Sequence, residues 1–531
     1  MDSWFDRGRA PATRDELHYG ARVVRAFVER PESVHAMLES AVARRPDGVA
    51  LVCGDLELTY RALDEAVGRV AGGLRALGVG KGDRVAMLLG NSVEFVVVLF
   101  AVARLGAVSV PLNIRHQLAE NREIIEDCAA RVVVHEPDLA DRTPRPGEPP
   151  SLAHTVAVRR DGGPPLEALS GALAVSRAEP VGEDDAATIL YTSGTTGRPK
   201  GAMLTHFSIA HSVIHYRIAM ELTEEDRALI AVPMSHVTGL IALVDAMIHC
   251  AGTLVVMPSF KASEFIDLAA RRRVTYSLLV PAMFALCLMA PNFAAADLSA
   301  WRVSGFGGAI MPEATLERIA ARLPTLKLLN CYGATETTSP ATIMPPDETA
   351  ARKDSVGLAV PCGRIVVMDP DGVEARAGEP GEIWIGGAMV VPGYFNNPEA
   401  TAREFVGGYW KSGDLGIRDA DGYLRVVDRI KDVINRGGYK VFASEVENVL
   451  LGRPEIVEVA VVAKPCPVLG ERVHAFVVLR EAVEDSELQR HCAELLSDYK
   501  APEAFHRVAG TLPRNANGKV LKRELRQALL A

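Results

Sequence analysis

Apolar residues recur at helical spacing from Arg61 to Leu77, and the stretch stops at Gly78. Arg84 to Leu89 is a short apolar run, the kind a strand buried on both faces produces. Val93 to Leu105 returns to helical spacing, and Ala107 to Pro111 reads as the next strand. Strand, helix, strand in succession predicts α/β layers around a mostly parallel sheet. Ala186 to Leu190 is a further strand. The apolar stretch Val237 to Phe260 is interrupted by Asp245, His249 and Gly252, which predicts a buried helix followed by a strand rather than a membrane span. Between Asp138 and Asp185 the chain is rich in proline and glycine and reads as surface loops.

From Gly363 to Gly387 the pattern changes. Arg364–Met368 and Gly381–Ile385 look like short strands, with a turn at Asp369-Pro370-Asp371-Gly372, and suggest a small β subdomain. After Asp428 the chain turns charged and then resumes as compact α/β. Helices are expected at Ala443–Leu451 and Ser486–Leu496, with strands at Ile456–Ala463 and His474–Leu479. The expected fold is therefore α/β: a large multi-layer N-terminal domain over residues 1–430 containing the β subdomain, then a small α/β domain over 431–531.

A chain of 531 residues is long enough for two or three such units. Acidic residues number 67 against 58 basic ones, a net charge of −9, which argues against general nucleic-acid binding. Eight cysteines are scattered with no CxxC pair, so neither a zinc knuckle nor a redox motif is indicated, and a reducing cytoplasm fits. The N-terminus lacks the apolar core of a secretory signal. A soluble enzyme with no integral membrane segment is expected; a homodimer is compatible with this.

Tyr191-Thr192-Ser193-Gly194-Thr195-Thr196-Gly197-Arg198-Pro199-Lys200-Gly201 brings candidate chemistry. Its glycines let backbone N–H groups approach an anion, its hydroxyls donate to phosphate oxygens, and Lys200 adds positive charge. The Walker pattern is not met, because Pro199 and Lys200 follow Gly197 and Gly201 stands where Ser or Thr is needed.

This loop resembles the phosphate loop of the adenylate-forming superfamily, which comprises acyl- and aryl-CoA ligases, peptide-synthetase adenylation domains and luciferases. Four further blocks repeat the resemblance in the family's order. They are Asn330-Cys331-Tyr332-Gly333-Ala334-Thr335-Glu336-Thr337, Tyr409-Trp410-Lys411-Ser412-Gly413-Asp414-Leu415, the stretch from Asp428 through Gly438 and Lys440 to Glu447, and Pro513-Arg514-Asn515-Ala516-Asn517-Gly518-Lys519. The resemblance runs from about Thr59 to the C-terminus. It implies ATP, Mg²⁺ and coenzyme A as the small molecules used, together with a carboxylic acid. Thr192, Ser193, Gly194, Thr195, Thr196, Gly197 and Lys200 would then meet phosphate. Gly308, Ala309, Asn330, Tyr332, Gly333 and Thr335 would line the nucleotide, with Tyr332 on the adenine. Asp414, assisted by Arg429, would hold the ribose. Glu336 and Thr196 would hold Mg²⁺, an ion that takes oxygen ligands. Lys519 would bridge carboxylate and α-phosphate, where two anions must be joined and charge develops. Lys431 would be the hinge of a mobile C-terminal lid, and Gly438 and Lys440 would lie on the coenzyme A path.

Pro233-Met234-Ser235-His236-Val237-Thr238-Gly239 resembles the family's acyl-pocket block, which places His236 beside the reacting carboxylate with Thr238 in the pocket. No aspartate stands here to pair with an α-amino group, which argues against amino-acid activation. Gly305 and Gly307, in the run Gly305-Phe306-Gly307-Gly308-Ala309, resemble the segment that walls the acyl pocket, and their small size suggests room for a ligand. Thr238, Gly239 and Ala242 are small, which leans towards an aliphatic, medium- or long-chain acid. An aryl acid, or transfer to a carrier protein instead of coenzyme A, are the alternatives.

Two features point elsewhere and are set aside. His211 and His215 share a helical face four residues apart, but no HExxH glutamate accompanies them. They read as helix surface or packing, and His206 as part of the turn after the phosphate loop. Arg271-Arg272-Arg273 reads as a solvated helix end.

Overall fold

The computed structural model describes residues 11–158, 169, 173–193, 199–309, 311–514 and 520–530. The chain forms two compact units. The first comprises Met1–Ile310, Arg318–Ile365 and Ile385–Lys411; the second comprises Met311–Glu317, Val366–Trp384 and Ser412–Ala531. The expected α/β class, with a large N-terminal part and a small C-terminal part, is what the elements show.

In the first unit a nine-stranded sheet is ordered Leu358–Ala359, Thr342–Ile343, Lys327–Tyr332, Val303–Gly307, Tyr276–Leu279, Arg227–Ile230, Thr253–Val256, Val49–Cys53 and Leu56–Thr59. Its central strands are parallel and mostly buried, with apolar residues predominating. A six-stranded sheet is ordered Pro199–Thr205, Ala186–Ser193, Val108–Pro111, Arg84–Leu88, Val132–His135 and His154–Ala157. The helices Tyr60–Ala76 and Val93–Arg104 pack on each other. Thr59 and Ser92 cap them by accepting from the N–H groups of Ala62 and Phe95. Every residue of Val93–Arg104 is buried; the guanidinium of Arg104 is answered by Asp64 and by the Val175 carbonyl.

The stretch after Val237 departs from a plain helix. Thr238–Asp245 is a π-helix, Ala246–Cys250 continues as an α-helix, and Ala251 at φ 58° ends it before the strand Thr253–Val256. Tyr276 donates its hydroxyl to the Ala242 carbonyl at 2.9 Å. Asp245, at the end of the π turn, is 1% exposed and its Oδ1 has no hydrogen-bond partner.

A hairpin of Thr13–His18 and Arg22–Phe27, for which the sequence pattern offered no element, precedes all of this. Its Phe27 packs on two of the histidines, His211 and His215. His206 opens the helix His206–Ala219 instead of lying in the turn before it, and accepts from the Val34 N–H. His211 accepts from the Phe27 N–H at 3.0 Å and pairs with the Phe207 carbonyl. All three rings are buried, and desolvation pushes their pKa values down, so they serve as neutral acceptors for buried backbone N–H groups. The helix Ala262–Arg271 ends at the arginine run as expected, with Arg272 bound to Glu57 and the Gly54 carbonyl.

In the second unit a five-stranded sheet is ordered Tyr439–Val441, Ile434–Arg436, Gly470–Leu479 and Ile456–Cys466, with Ala504–Arg507 on the other side of Gly470–Leu479. The helix Ala443–Leu451 covers it through Val446 and Leu450, against Ile434, Val461 and Val473. The two long strands outrun the apolar pattern, because Lys464 to Cys466 go on pairing with Arg472 to Gly470 at the hairpin tip. Lys431, the expected hinge, lies within this unit on the 3-10 turn Ile430–Asp432. Among the described residues no helix is long and apolar enough to cross a membrane.

Candidate active site

The hairpin Ala186–Ser193 and Pro199–Thr205 pairs antiparallel up to Ser193 opposite Pro199. The phosphate-loop residues Gly194, Thr195, Thr196 and Gly197 lie outside the described residues, between these two strand ends. Thr192 and Lys200 face each other across the hairpin, and the Thr192 hydroxyl donates to the Lys200 carbonyl at 3.4 Å. From the strand Lys200 reaches a compact cluster. Its ammonium donates to Glu404 Oε2 at 2.6 Å and to the Tyr394 hydroxyl at 3.3 Å, and lies 4.4 Å from the centre of the Tyr394 ring. The Tyr394 hydroxyl is within donating distance of two carboxylates, Glu404 Oε2 at 2.6 Å and Glu336 Oε1 at 2.9 Å.

Glu336 sits on the 3-10 turn Thr335–Thr337, just past the strand Lys327–Tyr332. Thr337 fixes that turn by accepting from the Ala334 N–H, and Thr338 anchors it to Ser208 at 3.0 Å. Burial pushes the Glu336 carboxyl above the usual range, against the Tyr394 hydrogen bond and the Lys200 charge. Burial also opposes ionisation of Glu404, but hydrogen bonds from Lys200, Tyr394 and Arg403 outweigh it and hold that carboxyl low. Among the described residues Tyr394 is the one side-chain hydrogen-bond partner of Glu336. A carboxylate with an oxygen to spare, steadied by a hydroxyl, fits Mg²⁺, which takes few protein ligands and keeps waters and phosphates. A second cluster with metal-ligand chemistry, Glu16, His18 and Glu183, is already claimed by Arg30, which donates to both carboxylates at 2.6–3.0 Å.

The other expected nucleotide residues of this unit follow the strand ends. Tyr332 is half-buried and Gly333 exposed at the end of Lys327–Tyr332. Asn330 is turned to structure, its amide donating to the Ser355 carbonyl at 3.0 Å. Gly308, at φ +77°, would place a Cβ in ordinary contact with Val280 at 3.8 Å, and Ala309 beside it is exposed. The room expected at Gly305 and Gly307 is already taken. A Cβ at Gly305 would meet Leu278 at 2.9 Å, and one at Gly307 would meet the Cys331 carbonyl at 2.2 Å, so close packing between parallel strands requires glycine there. Gly239 likewise lies against the Pro233 carbonyl. His236 is partly exposed, burial lowers its pKa, and its Nδ1 accepts from the Thr238 N–H at 3.4 Å. Thr238 opens the π-helix.

The second unit carries its own group. Asp414 is buried opposite Arg429 in an antiparallel pair, and Arg429 Nε lies 2.6 Å from Asp414 Oδ1. Ser412 holds this corner by donating to the Ile383 carbonyl while accepting from the Asp414 N–H. Lys431 and Lys440 are exposed. Gly438 is exposed at φ +91°, a conformation that favours glycine whatever passes nearby. Lys519 lies outside the described residues.

Tyr394 and Glu404 were not among the residues singled out from sequence. The signal present was structural: Asn397 caps the helix Pro398–Glu404 with proline at its first turn, which fixes where Glu404 ends up.

Residues 38–395 match the AMP-binding enzyme family, and residues 445–519 match the AMP-binding enzyme C-terminal domain. The chain is 35% identical to the long-chain-fatty-acid–CoA ligase FadD13 of Mycobacterium tuberculosis, over 89% of this chain and 93% of that one. It is also 35% identical to a feruloyl-CoA synthase of Amycolatopsis, over 91% and 96%. Its fold is similar to that of o-succinylbenzoate coenzyme A synthetase (MenE) from Bacillus subtilis in complex with ATP and magnesium ion, with a TM-score of 0.83 and 30% identity over 94% and 99% of the two chains.

Proposed function

The chain belongs to the AMP-binding enzyme family, and from that premise we propose that it is a carboxylic acid–CoA ligase acting on an aliphatic, medium- or long-chain acid. It is an AMP-forming acyl-CoA synthetase that uses ATP, Mg²⁺ and coenzyme A. The observation that carries the reading is the cluster of Lys200, Tyr394 and Glu336, built at the base of the phosphate-loop hairpin.

In the first half-reaction the acid's carboxylate attacks the α-phosphate, the bond to the β-phosphate breaks, and pyrophosphate leaves. Glu336 and Thr196 would hold Mg²⁺, which when bound would supply charge neutralisation on the triphosphate. Lys200 and the phosphate loop hold the phosphates, Asp414 with Arg429 holds the ribose, Tyr332 stacks on the adenine, and Lys519 offsets the charge shared by carboxylate and α-phosphate. In the second, the coenzyme A thiolate attacks the acyl carbonyl and AMP leaves, with His236 beside the carbonyl and Gly438 and Lys440 along the thiol's approach. We take residues 431–531 as the lid and Lys431 as the hinge on which it changes between the two steps. Eight free thiols fit a cytoplasmic setting.

The aliphatic reading is supported by the buried apolar run from Leu240 to Val244 beyond His236. The feruloyl-CoA synthase, as similar as the fatty-acid ligase, favours an aryl acid as the second reading. A panel of acids with ATP and coenzyme A, followed as AMP, separates them. Activity should rise about fourfold per added methylene, from about 0.8 kcal/mol each, until the pocket ends. Preference for a cinnamate over every alkanoate would select the second reading, and ADP as product would end both.

A further inference from the structure

The chemistry assigned so far uses Lys200 and Glu336 but leaves Glu404 without a part. Its placement is specific. Oε2 receives the Lys200 ammonium at 2.6 Å and lies 2.6 Å from the Tyr394 hydroxyl, while Oε1 receives Arg403 at 2.8 Å. Tyr394 is 3% exposed, and its own position is fixed. Its N–H donates to Thr401 Oγ1 at 2.9 Å, its backbone bridges to Ala202 on the phosphate-loop hairpin, and its ring lies edge-on to Phe405.

A tyrosine hydroxyl has one hydrogen. Glu336 and Glu404 are both within its reach, so it serves one of them at a time. Lys200 also donates to Glu404 Oε2, so that oxygen keeps a partner when the Tyr394 hydrogen goes to Glu336. The same contact holds the lysine's charge on Glu404, when the other carboxylate close enough to attract it is Glu336. Glu404 thus bears on Glu336 through both neighbours: it fixes where the shared Tyr394 hydroxyl lies, and it keeps the Lys200 ammonium from occupying the place of a cation.

We propose that Glu404 is a positioning residue for the metal-binding carboxylate of Glu336, acting through Lys200 and Tyr394. The proposal rests on the reading of Glu336 as the Mg²⁺ ligand. Groups that orient metal ligands typically change metal affinity by about 10–100-fold when removed. The test is Mn²⁺ binding to the full chain in the presence of ATP without acid, read by electron paramagnetic resonance, with thermal melting of each variant alongside. Glu404→Ala should weaken Mn²⁺ binding by about tenfold. Glu404→Gln keeps an oxygen that accepts from Lys200 and Tyr394 and should stay within about threefold of the parent. Tyr394→Phe should weaken binding by itself and add little to Glu404→Ala, since both act on one carboxylate. In turnover the half-saturating Mg²⁺ concentration should rise for Glu404→Ala while the KM for the acid holds. Unchanged Mn²⁺ binding in a folded Glu404→Ala overturns the proposal, as does equal loss in Ala and Gln or full additivity with Tyr394→Phe. Should Glu404→Ala fail to fold, Glu404→Gln and Tyr394→Phe carry the decision: a tenfold loss in Gln, or none in Phe, overturns it. Glu336→Ala separates the two layers. If it binds Mn²⁺ normally, the metal reading falls and this proposal with it; if it loses Mn²⁺ while Glu404→Ala does not, this proposal alone falls.

Discussion

Glu336 meets opposing demands: burial disfavours its charge, and the cation-binding role proposed for it requires that charge. The structure answers with a neutral donor at one oxygen and a cation nearby that is already engaged elsewhere. That arrangement was not legible from sequence. Lys200 lies 194 residues from Tyr394 and 204 from Glu404, and no local pattern announces a contact at that separation. Glu336 itself was legible because its block fixes several residue types in a row. Lys519 is the residue whose role is most sharply testable. Lys519→Ala should slow acyl-AMP formation by about 10²–10³-fold, as loss of one such electrostatic contact does, yet leave reaction of preformed acyl-AMP with coenzyme A nearly intact. Single-turnover assays of the two halves check this, and equal damage to both would contradict the assigned role. At Gly438 the φ of +91° strains any residue that carries a Cβ, alanine included, so a loss in Gly438→Ala counts for the proposed coenzyme A path only where its thermal melt matches the parent's.

At the scale of elements, the π-helix Thr238–Asp245 differs most from expectation. An apolar run with an aspartate near its end reads as an interrupted helix; hydrogen bonding one residue wider than α depends on partners elsewhere, here the Tyr276 hydroxyl on Ala242. The aspartate is left buried with Oδ1 unpartnered, and burial pushes its pKa up to about 8. The sign of the consequence follows. An unfolded aspartate loses its proton near pH 4, whereas the folded one keeps it to about pH 8. Between those values the folded state binds the extra proton, so stability falls as pH rises, at up to about 1.4 kcal/mol per unit, and levels above pH 8. Asp245→Asn, which has no such proton to lose, should gain in Tm over the parent more at pH 8 than at pH 5. An equal difference at the two pH values would contradict this. Other elements were legible for plain reasons. Arg84–Leu88 and Val108–Pro111 are parallel strands whose apolar residues are buried, and Ala443–Leu451 has a regular apolar stripe. The hairpin at Thr13–Phe27 was not, because its charged residues are held by ion pairs such as Arg30 with Glu16 and Glu183, which periodicity does not register.

At the scale of the molecule, the chain resolves into two compact units; the Lys200–Tyr394–Glu336 cluster lies in one and Asp414 with Arg429 in the other. The second unit takes in residues 412–430, which the sequence reading placed in the N-terminal domain, Asp414 and Arg429 among them. The central claim is that the acid's carboxylate oxygen becomes bonded to the α-phosphate of ATP. The direct measurement is transfer of isotope. An acid labelled with ¹⁸O in its carboxylate is turned over with ATP, Mg²⁺ and coenzyme A, and the nucleotide product is analysed by mass spectrometry. Attack at the α-phosphate followed by thiolate attack at the acyl carbon leaves one labelled oxygen on the phosphate of AMP and one in the thioester. Unlabelled AMP, or label recovered in inorganic phosphate beside ADP, would contradict the account.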